Sequence, residues 1–495
     1  MPIVGRKIQR IYLIGAKGVG MTMLAQFLAA KGNLVSGSDV KDTFLTDKVL
    51  RASKIRVFSP FAARNIPADL DLIIYSTAYD ARNNPEMAFI ASRPARFKNV
   101  RILSYPEALG EIFNQYYGVA VCGSHGKTTT SAWLGYVLWR AGQKPNVLVG
   151  SSVPQFKGSG LSGASRYFIA EADEYQNKLQ YFKPRGVVLN NIDYDHPDFF
   201  KTAVAYAKVF AEFIKKIPAA GFLVINGRDR ESQKIKKDCR GRVISYDLVD
   251  GDRIGVGRVD YLATDLRLKN GWQIFRVSAR NRTSAGRKNL GDFKIALWGE
   301  HNILNALAVI AAARELKVPL AALKKHLAGF TGTQRRAQIL GRYHGALVID
   351  DYAHHPTEIQ ATLKGLRERY KTKKIITVFH PHTFTRTKVF FRDFVRSFVA
   401  TDELIILDIY SSARESGGRK RGRVSSRELA QAIVRFNQAG KVRTLGRKQV
   451  VRHIATMTAA AAYLRQKLKP GNVLLLMGAG DVFRIGTALL KKKDK

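Results

Sequence analysis

The sequence predicts an α/β protein with three domains. Short apolar segments alternate with helical patterns along most of the chain, and two of these segments run directly into glycine-rich turns. At 495 residues the chain is too long for one ordinary core, and a prior of about 150 residues per domain suggests three. We place the domains at residues 1–112, 113–330 and 331–495.

The first domain opens with the pattern of a Rossmann-like nucleotide-binding fold. An apolar strand precedes the turn GAKGVGM, which contains Gly15, Gly18 and Gly20, and a second strand ends at Asp39. Such glycines admit a pyrophosphate to a helix N-terminus, and an acid after the second strand contacts a ribose. On this spacing alone, a redox dinucleotide is the obvious rival to any other nucleotide ligand.

The central domain is organised around the segment GVAVCGSHGKTTT, in which an apolar strand leads into a glycine turn and a helix. Val121 stands where the full phosphate-loop pattern has glycine, so the prediction is the compact G-x-x-G-K-T-T form. In such a loop, backbone N–H groups surround phosphate oxygens, Lys127 reaches the outer phosphates and Thr128 offers its hydroxyl to Mg²⁺. The predicted triphosphate contacts are Gly123, Ser124, His125, Gly126, Lys127, Thr128 and Thr129.

Polar side chains follow several buried strands, where the ligand crevice of an open sheet lies. One strand ends at Glu171, another leads to His196, and a strand of the first domain ends at Ser76. Because Mg²⁺ prefers oxygen ligands, Thr128, Glu171 and a substrate phosphate form the expected shell. His196 fits a hydrogen-bonding role as well as a metal ligand, and the acids around Glu171 also fit a solvated loop.

Two further segments complete the central domain. Residues 229–294 contain short alternating stretches that indicate a small β-rich elaboration, to which we assign no chemistry. Asn302 and Asn305 then lie three apart at the start of a helix. Their amides are suited to an adenine edge, although Asn302 is equally suited to capping the helix.

The third domain reads as a doubly wound, Rossmann-like α/β domain. Its apolar strands alternate with helices and end in the polar segments DDYAHHPTE, HPHTFTRT and GAGD. The density of His and Asp in the first of these resembles a zinc site, but no matching Cys or His spacing completes it.

The charge balance is unusual, because 82 Lys and Arg stand against 39 Asp and Glu, a net charge of +43. A nucleic-acid-binding P-loop protein is therefore an alternative of another class. The basic residues are nevertheless spread along the chain, and no arginine–aromatic RNA motif is present. We expect no specific nucleic-acid partner and assign no role to the basic loop Arg414 to Arg423.

The composition also bears on location and assembly. With two cysteines, Cys122 and Cys239, no disulfide framework is implied, and the cytoplasm is the expected compartment. No apolar run reaches the roughly 18 residues that suggest a membrane span, so we expect no membrane insertion. A monomer and a homodimer are both compatible with the sequence.

Ten motifs together resemble the ATP-dependent Mur ligases of peptidoglycan synthesis, in the expected order and over nearly the whole chain. They are GAKGVGM, SGSD, GSHGKTTT, EADE, NNIDYDH, GEHNILNA, RRAQ, DDYAHHPTE, PHTFTRT and GAGD. The resemblance implies a ligase that uses ATP and Mg²⁺ to form an amide bond through an acyl phosphate. The branch that joins L-alanine to UDP-N-acetylmuramate fits best, and the murein-peptide recycling branch is the alternative.

The resemblance also implies roles for single residues in the first two domains. A UDP-sugar replaces the redox cofactor in the first domain, where its expected contacts are Gly15, Gly18, Gly20, Met21, Asp39 and Ser76. In the central domain, Lys127 would bind the γ-phosphate, and Thr128, Glu171 and His196 match the family's metal positions. Asn302 and Asn305 match positions that contact adenine.

In the third domain, the resemblance assigns Arg336 to the phosphates and Asp351 to the ribose of ATP. His354 and Arg386 match positions near the amino acid and product, and His354 is suited to act as a base, to orient the amine or to bind product. Thr383 stands where the alanine-adding branch usually has arginine, which leaves the amino-acid preference open. Because ATP contacts come from two domains, we expect domain closure before chemistry.

Overall fold

The computed structural model describes residues 3–5, 7–44, 46–249, 259–281, 286–410, 424–441 and 448–491. Three sheets flanked by helices follow one another along the chain, and the predicted α/β class is confirmed. The basic loop Arg414 to Arg423 lies outside the described residues. Within the described ranges, no helix combines the length and the apolar character needed to cross a bilayer.

The first sheet has five parallel strands. The elements of this region are β1 (Arg10–Ile14), α1 (Val19–Ala30), β2 (Leu34–Ser38), α2 (Thr46–Ala52), β3 (Arg56–Phe58), β4 (Leu72–Tyr75), α3 (Pro85–Ser92), β5 (Arg101–Ser104) and α4 (Tyr105–Asn114). The order β3-β2-β1-β4-β5 puts the strand before the glycine turn in the centre, where a Rossmann-like fold binds its nucleotide. The predicted boundary after residue 112 falls within α4.

The second sheet has ten strands in the order β15-β14-β13-β12-β11-β10-β6-β9-β7-β8. The elements are β6 (Tyr117–Cys122), α5 (Lys127–Arg140), β7 (Asn146–Val153), β8 (Gly158–Leu161), β9 (Tyr167–Glu171), β10 (Gly186–Leu189), α6 (Ala203–Ile214), β11 (Phe222–Asn226), α7 (Arg230–Ile235), β12 (Arg242–Leu248), β13 (Tyr261–Lys269), β14 (Trp272–Arg280), β15 (Arg287–Ile295), α8 (Glu300–Glu315) and α9 (Leu320–Ala328). Strands β13, β14 and β15 pair antiparallel and form the expected β elaboration. Strands β6, β9 and β10 are parallel neighbours, so the residues after them meet at one edge.

The third sheet has six strands in the order β16-β17-β21-β18-β19-β20, and all pairs except β16–β17 are parallel. The elements are β16 (Gln338–Tyr343), β17 (Ala346–Asp351), α10 (Pro356–Arg369), β18 (Ile375–Phe379), α11 (Phe384–Val389), α12 (Phe391–Ser397), β19 (Glu403–Ile406), α13 (Ser426–Phe436), β20 (Val450–His453), α14 (Met457–Lys467), β21 (Val473–Met477) and α15 (Phe483–Leu490). The three polar segments predicted from the sequence follow β17, β18 and β21, which are adjacent in the sheet.

The apolar cores divide the molecule unequally. One core is continuous between the first and central regions, where the ring of Phe168 lies 5.3 Å from that of Phe27 and 5.8 Å from that of Phe113. The third region has separate cores on the two faces of its own sheet. The first two regions are therefore packed as one body, and the third is a neighbour with its own interior.

Candidate active site

The phosphate loop connects β6 to α5. Gly123 has φ 116° and Gly126 has φ 79°, conformations that favour glycine. A Cβ at Gly126 would lie 2.5 Å from Oδ1 of Asn305, so the backbone passes too close to its neighbour for a side chain. The first N–H groups of α5 have no partner within the helix, which makes this turn a suitable anion site.

Lys127 lies at the first position of α5 and is held by acceptors. Its ammonium donates to the backbone oxygen of Ser124 at 3.2 Å and lies 2.9 Å from Oε2 of Glu174. Burial opposes the charge, but Glu174 and Asp173 raise the pKa of Lys127 above its ordinary value. The lysine is therefore a cation throughout the physiological range.

The predicted metal residues fall into two contact groups, Thr128 with Glu171 and His196 with Glu174. The hydroxyl of Thr128 donates to Oε1 of Glu171 at 2.8 Å, and Oε2 of Glu171 accepts from a backbone N–H of β7 at 2.7 Å. Nε2 of His196 lies 3.6 Å from Oε1 of Glu174. Ligand atoms of Asp173, Glu174 and His196 lie within 4.8 Å of one another.

This donor set suits a magnesium ion. The groups beside the loop are carboxylates, a hydroxyl and one imidazole, and hard cations prefer oxygen ligands. The sequence places Glu174 with Glu171 at the end of β9, but Glu174 was not among the predicted metal ligands.

A cavity of about 610 Å³ lies beside the loop, between the central and third regions. Both regions contribute to its wall, as the predicted domain closure requires. Seven of the residues predicted for ATP line it, namely His125, Gly126, Thr129, Asn302, Asn305, Arg336 and Asp351. The remaining loop residues adjoin these in the chain.

Asn302 and Asn305 form an amide network on α8. Asn305 donates to Oδ1 of Asn302 at 3.2 Å, and Asn302 donates to the backbone oxygen of Trp298 at 2.8 Å. The N-cap of α8 is Gly299, with φ 93°, so the alternative that Asn302 caps the helix is wrong. A glycine in this conformation turns the chain into the helix, and the two hydrogen-bonded amides lie in the cavity wall.

Arg336 and Asp351 bring the third region to the cavity. The Asp351 carboxylate accepts from the N–H groups of Ala337 at 2.7 Å and Ala353 at 2.8 Å, and burial raises its pKa. The Arg336 guanidinium lies 5.3 Å from the ring centre of Tyr352, and its NH1 lies 3.6 Å from Oε1 of Glu358.

The residues predicted near the amino acid lie where the two regions meet. Arg386 forms a buried ion pair with Asp195 of the central region, at 2.9 Å and 3.0 Å. Burial opposes the charge of Asp195, but Arg386 holds the pKa of that carboxyl well below its usual range. Thr383 has φ 70°, and its hydroxyl caps α11 by accepting from the Arg386 N–H at 3.3 Å.

The residues predicted for the UDP-sugar surround the turn after β1. Gly15 has φ 85°, Gly18 is the N-cap of α1, and Ser76 follows β4 and donates its N–H to the backbone oxygen of Ile14. Gly20 and Met21 lie in the first turn of α1.

Asp39 is engaged with the same turn. Its Oδ2 accepts from the N–H of Lys17 at 2.6 Å and its Oδ1 accepts from the N–H of Val40 at 2.7 Å. The carboxylate of Asp39 therefore fastens the glycine turn to the end of β2.

Three family models match the chain in sequence. These are the catalytic domain of the Mur ligase family at residues 10–117, the Mur ligase middle domain at 121–313 and the glutamate ligase domain of Mur ligases at 335–480.

Curated relatives match over nearly the full length. A UDP-N-acetylmuramate--L-alanine ligase from Desulfitobacterium hafniense (strain Y51) is 36% identical over 481 residues, which cover 97% of this chain and 99% of that protein. A protein of the same name from Clostridium kluyveri (strain NBRC 12016) is 37% identical over 488 residues, covering 98% and 99%.

Solved structures share the fold. A UDP-N-acetylmuramate-alanine ligase from Thermotoga maritima gives a TM-score of 0.75 at 23% identity, covering 97% of this chain and 98% of that chain. A murein peptide ligase from Psychrobacter arcticus gives 0.69 at 22% identity, with the same coverage. The chain belongs to the Mur ligase family.

Proposed function

We propose that this protein is an ATP-dependent ligase that joins L-alanine to the lactyl carboxylate of UDP-N-acetylmuramate. The observation that carries the proposal is the 36% identity to a UDP-N-acetylmuramate--L-alanine ligase over 97% of the chain. The cavity at the phosphate loop supports it, because its walls combine a glycine turn, paired amides and a guanidinium.

The reaction makes an amide from an unreactive carboxylate in two steps. A carboxylate oxygen attacks the γ-phosphorus of ATP, ADP leaves, and an acyl phosphate forms. The alanine amine then attacks the carbonyl carbon, the bond to the phosphate oxygen breaks, and the amine loses a proton. Phosphoryl transfer depends mainly on positioning and on neutralising charge, which Lys127 and Arg336 supply.

We assign Mg²⁺ to Thr128, Glu171 and His196, with Glu174 beside His196. The oxygen-rich donor set at the loop supports this assignment. When bound, Mg²⁺ neutralises charge on the ATP phosphates. Asn302 and Asn305 are assigned to adenine, Asp351 to ribose, and the turn from Gly15 to Met21 with Asp39 and Ser76 to the UDP-sugar.

The amine side of the reaction is assigned to His354 and Arg386. Cytoplasmic location, a monomeric or homodimeric state and the lack of a specific nucleic-acid partner stay predictions.

The test is a substrate comparison with purified protein, ATP, Mg²⁺ and UDP-N-acetylmuramate, in which phosphate release is followed with either L-alanine or the murein tripeptide. We expect release with L-alanine that requires all components. Phosphate release with the tripeptide but not with L-alanine would instead assign the murein-peptide recycling reaction. Release stimulated by nucleic acid and independent of the UDP-sugar would contradict both ligase functions.

A further inference from the structure

The carboxylate of Glu358 lies close to groups that we assign to both steps of the reaction. These are the phosphate loop and Arg336 for phosphoryl transfer, and His354 for amide formation. Glu358 lies in the first turn of α10, and its side chain is 10% exposed. Its Oε1 lies 3.3 Å from Nδ1 of His125 in the phosphate loop and 3.6 Å from NH1 of Arg336. Its Oε2 lies 3.3 Å from Nδ1 of His354 and accepts from the His354 backbone N–H at 3.1 Å.

The neighbours of the His354 ring decide which nitrogen carries its proton. Nδ1 lies 3.0 Å from the backbone oxygen of Tyr352 and 3.3 Å from Glu358, and both neighbours are acceptors only. Burial and Arg386 lower the pKa of His354 to about 3, so the ring is neutral. Nδ1 therefore holds the single proton, and Nε2 keeps a lone pair that meets no hydrogen-bond donor in the described part of the chain.

The His125 ring is in the opposite state. Its Nε2 lies 2.9 Å from Oδ2 of Asp193 and its Nδ1 lies 3.3 Å from Oε1 of Glu358, so each nitrogen faces a carboxylate. Burial opposes the charge, but these two partners raise the pKa of His125 to about 9. The phosphate loop thus presents a cation to Glu358 from the central region.

We propose that Glu358 is a positioning residue for both steps of the ligation, an inference that rests on the proposed function. Through Oε1 it holds the phosphate loop beside Arg336, and through Oε2 it anchors the backbone N–H of His354, so that Nε2 is placed to accept the proton of the incoming amine. His125 belongs to the central region, and the other groups belong to the third. The groups needed for both steps are therefore brought together only when the two regions are docked.

The proton balance of the second step defines what Glu358 does. As the nitrogen–carbon bond forms, the amine proton moves to Nε2 of His354, and phosphate leaves with the electron pair of the broken carbon–oxygen bond. The low pKa of His354 means that the ring releases this proton after the step. The Tyr352 backbone oxygen accepts from Nδ1–H, and the charge of Glu358, 3.3 Å from Nδ1, stabilises the transient imidazolium.

The test compares Glu358→Gln with Glu368→Gln, a matched change on the same helix at a carboxylate that is 49% exposed. The first step is measured as hydroxamate formed when hydroxylamine traps the acyl phosphate, and both steps together as turnover with L-alanine. We expect Glu358→Gln to lose about tenfold or more in trapping and about a hundredfold or more in turnover, with KM for the UDP-sugar unchanged. The Glu368→Gln variant should stay within about twofold in both.

The outcomes separate the two proposals. If the wild type is active and Glu358→Gln retains full turnover or full trapping, the proposal that Glu358 serves both steps is wrong. An inactive wild type with L-alanine instead overturns the proposed function.

A second measurement leaves Glu358 in place, in case its replacement prevents folding. A double-mutant cycle compares His125→Asn, His354→Asn and the double variant. Each substitution removes a contact with the same carboxylate, that of Glu358. We expect turnover losses that depart from additivity by about threefold or more, and trapping that falls in His125→Asn but not in His354→Asn. Additive losses overturn the coupling.

Discussion

The central region meets its two neighbours through interfaces of opposite character. Towards the first region the contact is an apolar core, in which Phe168 packs its ring edge-on against Phe27 and Phe113. Towards the third region the contacts include ion pairs and hydrogen bonds, together with the rings of Trp298 and Tyr194, which pack against the core of that region.

The polar interface contains ion pairs of both senses. Asp195 of the central region pairs with Arg386 of the third, whereas His125 of the central region pairs with Glu358 of the third. A hydrogen bond of 2.6 Å from the hydroxyl of Thr357 to Asp193 lies beside them.

The difference indicates which interface opens. Separating an apolar core exposes surface at a cost of about 25 cal/mol per Å², and nothing in water replaces the contact. Charged groups that separate regain hydration, so a polar interface is in closer balance between its docked and undocked states. The cavity proposed for ATP lies at the polar interface, and we therefore expect the first two regions to move as one body against the third.

The largest expected effect is at the phosphate loop on the polar side. Lys127→Ala removes the cation that faces the outer phosphates, and we expect kcat to fall about a thousandfold or more, both in acyl-phosphate trapping and in turnover. Lys215→Ala, at an exposed ion pair of the central region, is the control and should be near wild type. Normal activity in Lys127→Ala would refute the assignment of the loop.

Breaking one ion pair tests the polar interface itself. Asp195→Asn leaves Arg386 buried without its carboxylate, which costs roughly 3 kcal/mol of the docked state, or about a hundredfold in kcat/KM. Small-angle scattering with an ATP analogue should report a larger radius of gyration than for wild type. Unchanged kinetics and scattering would show that the pair does not hold the regions together.

A cavity in the apolar interface should act differently. Phe168→Ala removes a ring that is fully buried between the first and central regions, and we expect a loss of roughly 4 kcal/mol in the free energy of unfolding. Val204→Ala, at a residue that is 78% exposed, should change it by less than about 0.5 kcal/mol. If the loss of unfolding free energy in Phe168→Ala changes when ATP is added, the two interfaces do not act independently.

The smallest effect is the pH dependence of the His125 contacts. Because the pKa of His125 rises from 6.5 to about 9 in the folded protein, its contribution is complete below pH 6.5 and disappears as pH rises through about 9. We expect the stability difference between wild type and His125→Asn to shrink between pH 6.5 and 9, and a constant difference would contradict a charged His125.

The sequence predicted the structural features that depend on residues close together in the chain. The strand before Gly123, the glycine turn through Gly126 and the helix after it are local features that residue type alone indicates. The α/β class followed from the same kind of signal, because apolar strands and helices alternate.

Contacts between distant residues were beyond this reasoning. Asp195 and Arg386 are 191 positions apart, and neither residue type nor spacing indicates that they form a pair. Glu358 was visible as part of a polar segment, but its link to His125 depends on how α10 docks against the phosphate loop. The alternative that Asn302 caps α8 was wrong because Gly299 is the N-cap. The roles of the predicted site residues stay predictions.

The most direct measurement follows an oxygen atom from the sugar nucleotide to the released phosphate. UDP-N-acetylmuramate labelled with ¹⁸O in its lactyl carboxylate is incubated with ATP, Mg²⁺, L-alanine and the protein, and the phosphate is analysed by mass spectrometry. Because the carboxylate oxygen becomes the bridge of the acyl phosphate, we predict one labelled oxygen in each phosphate released. Unlabelled phosphate, or label that appears without formation of the alanyl amide, would contradict the proposed ligation.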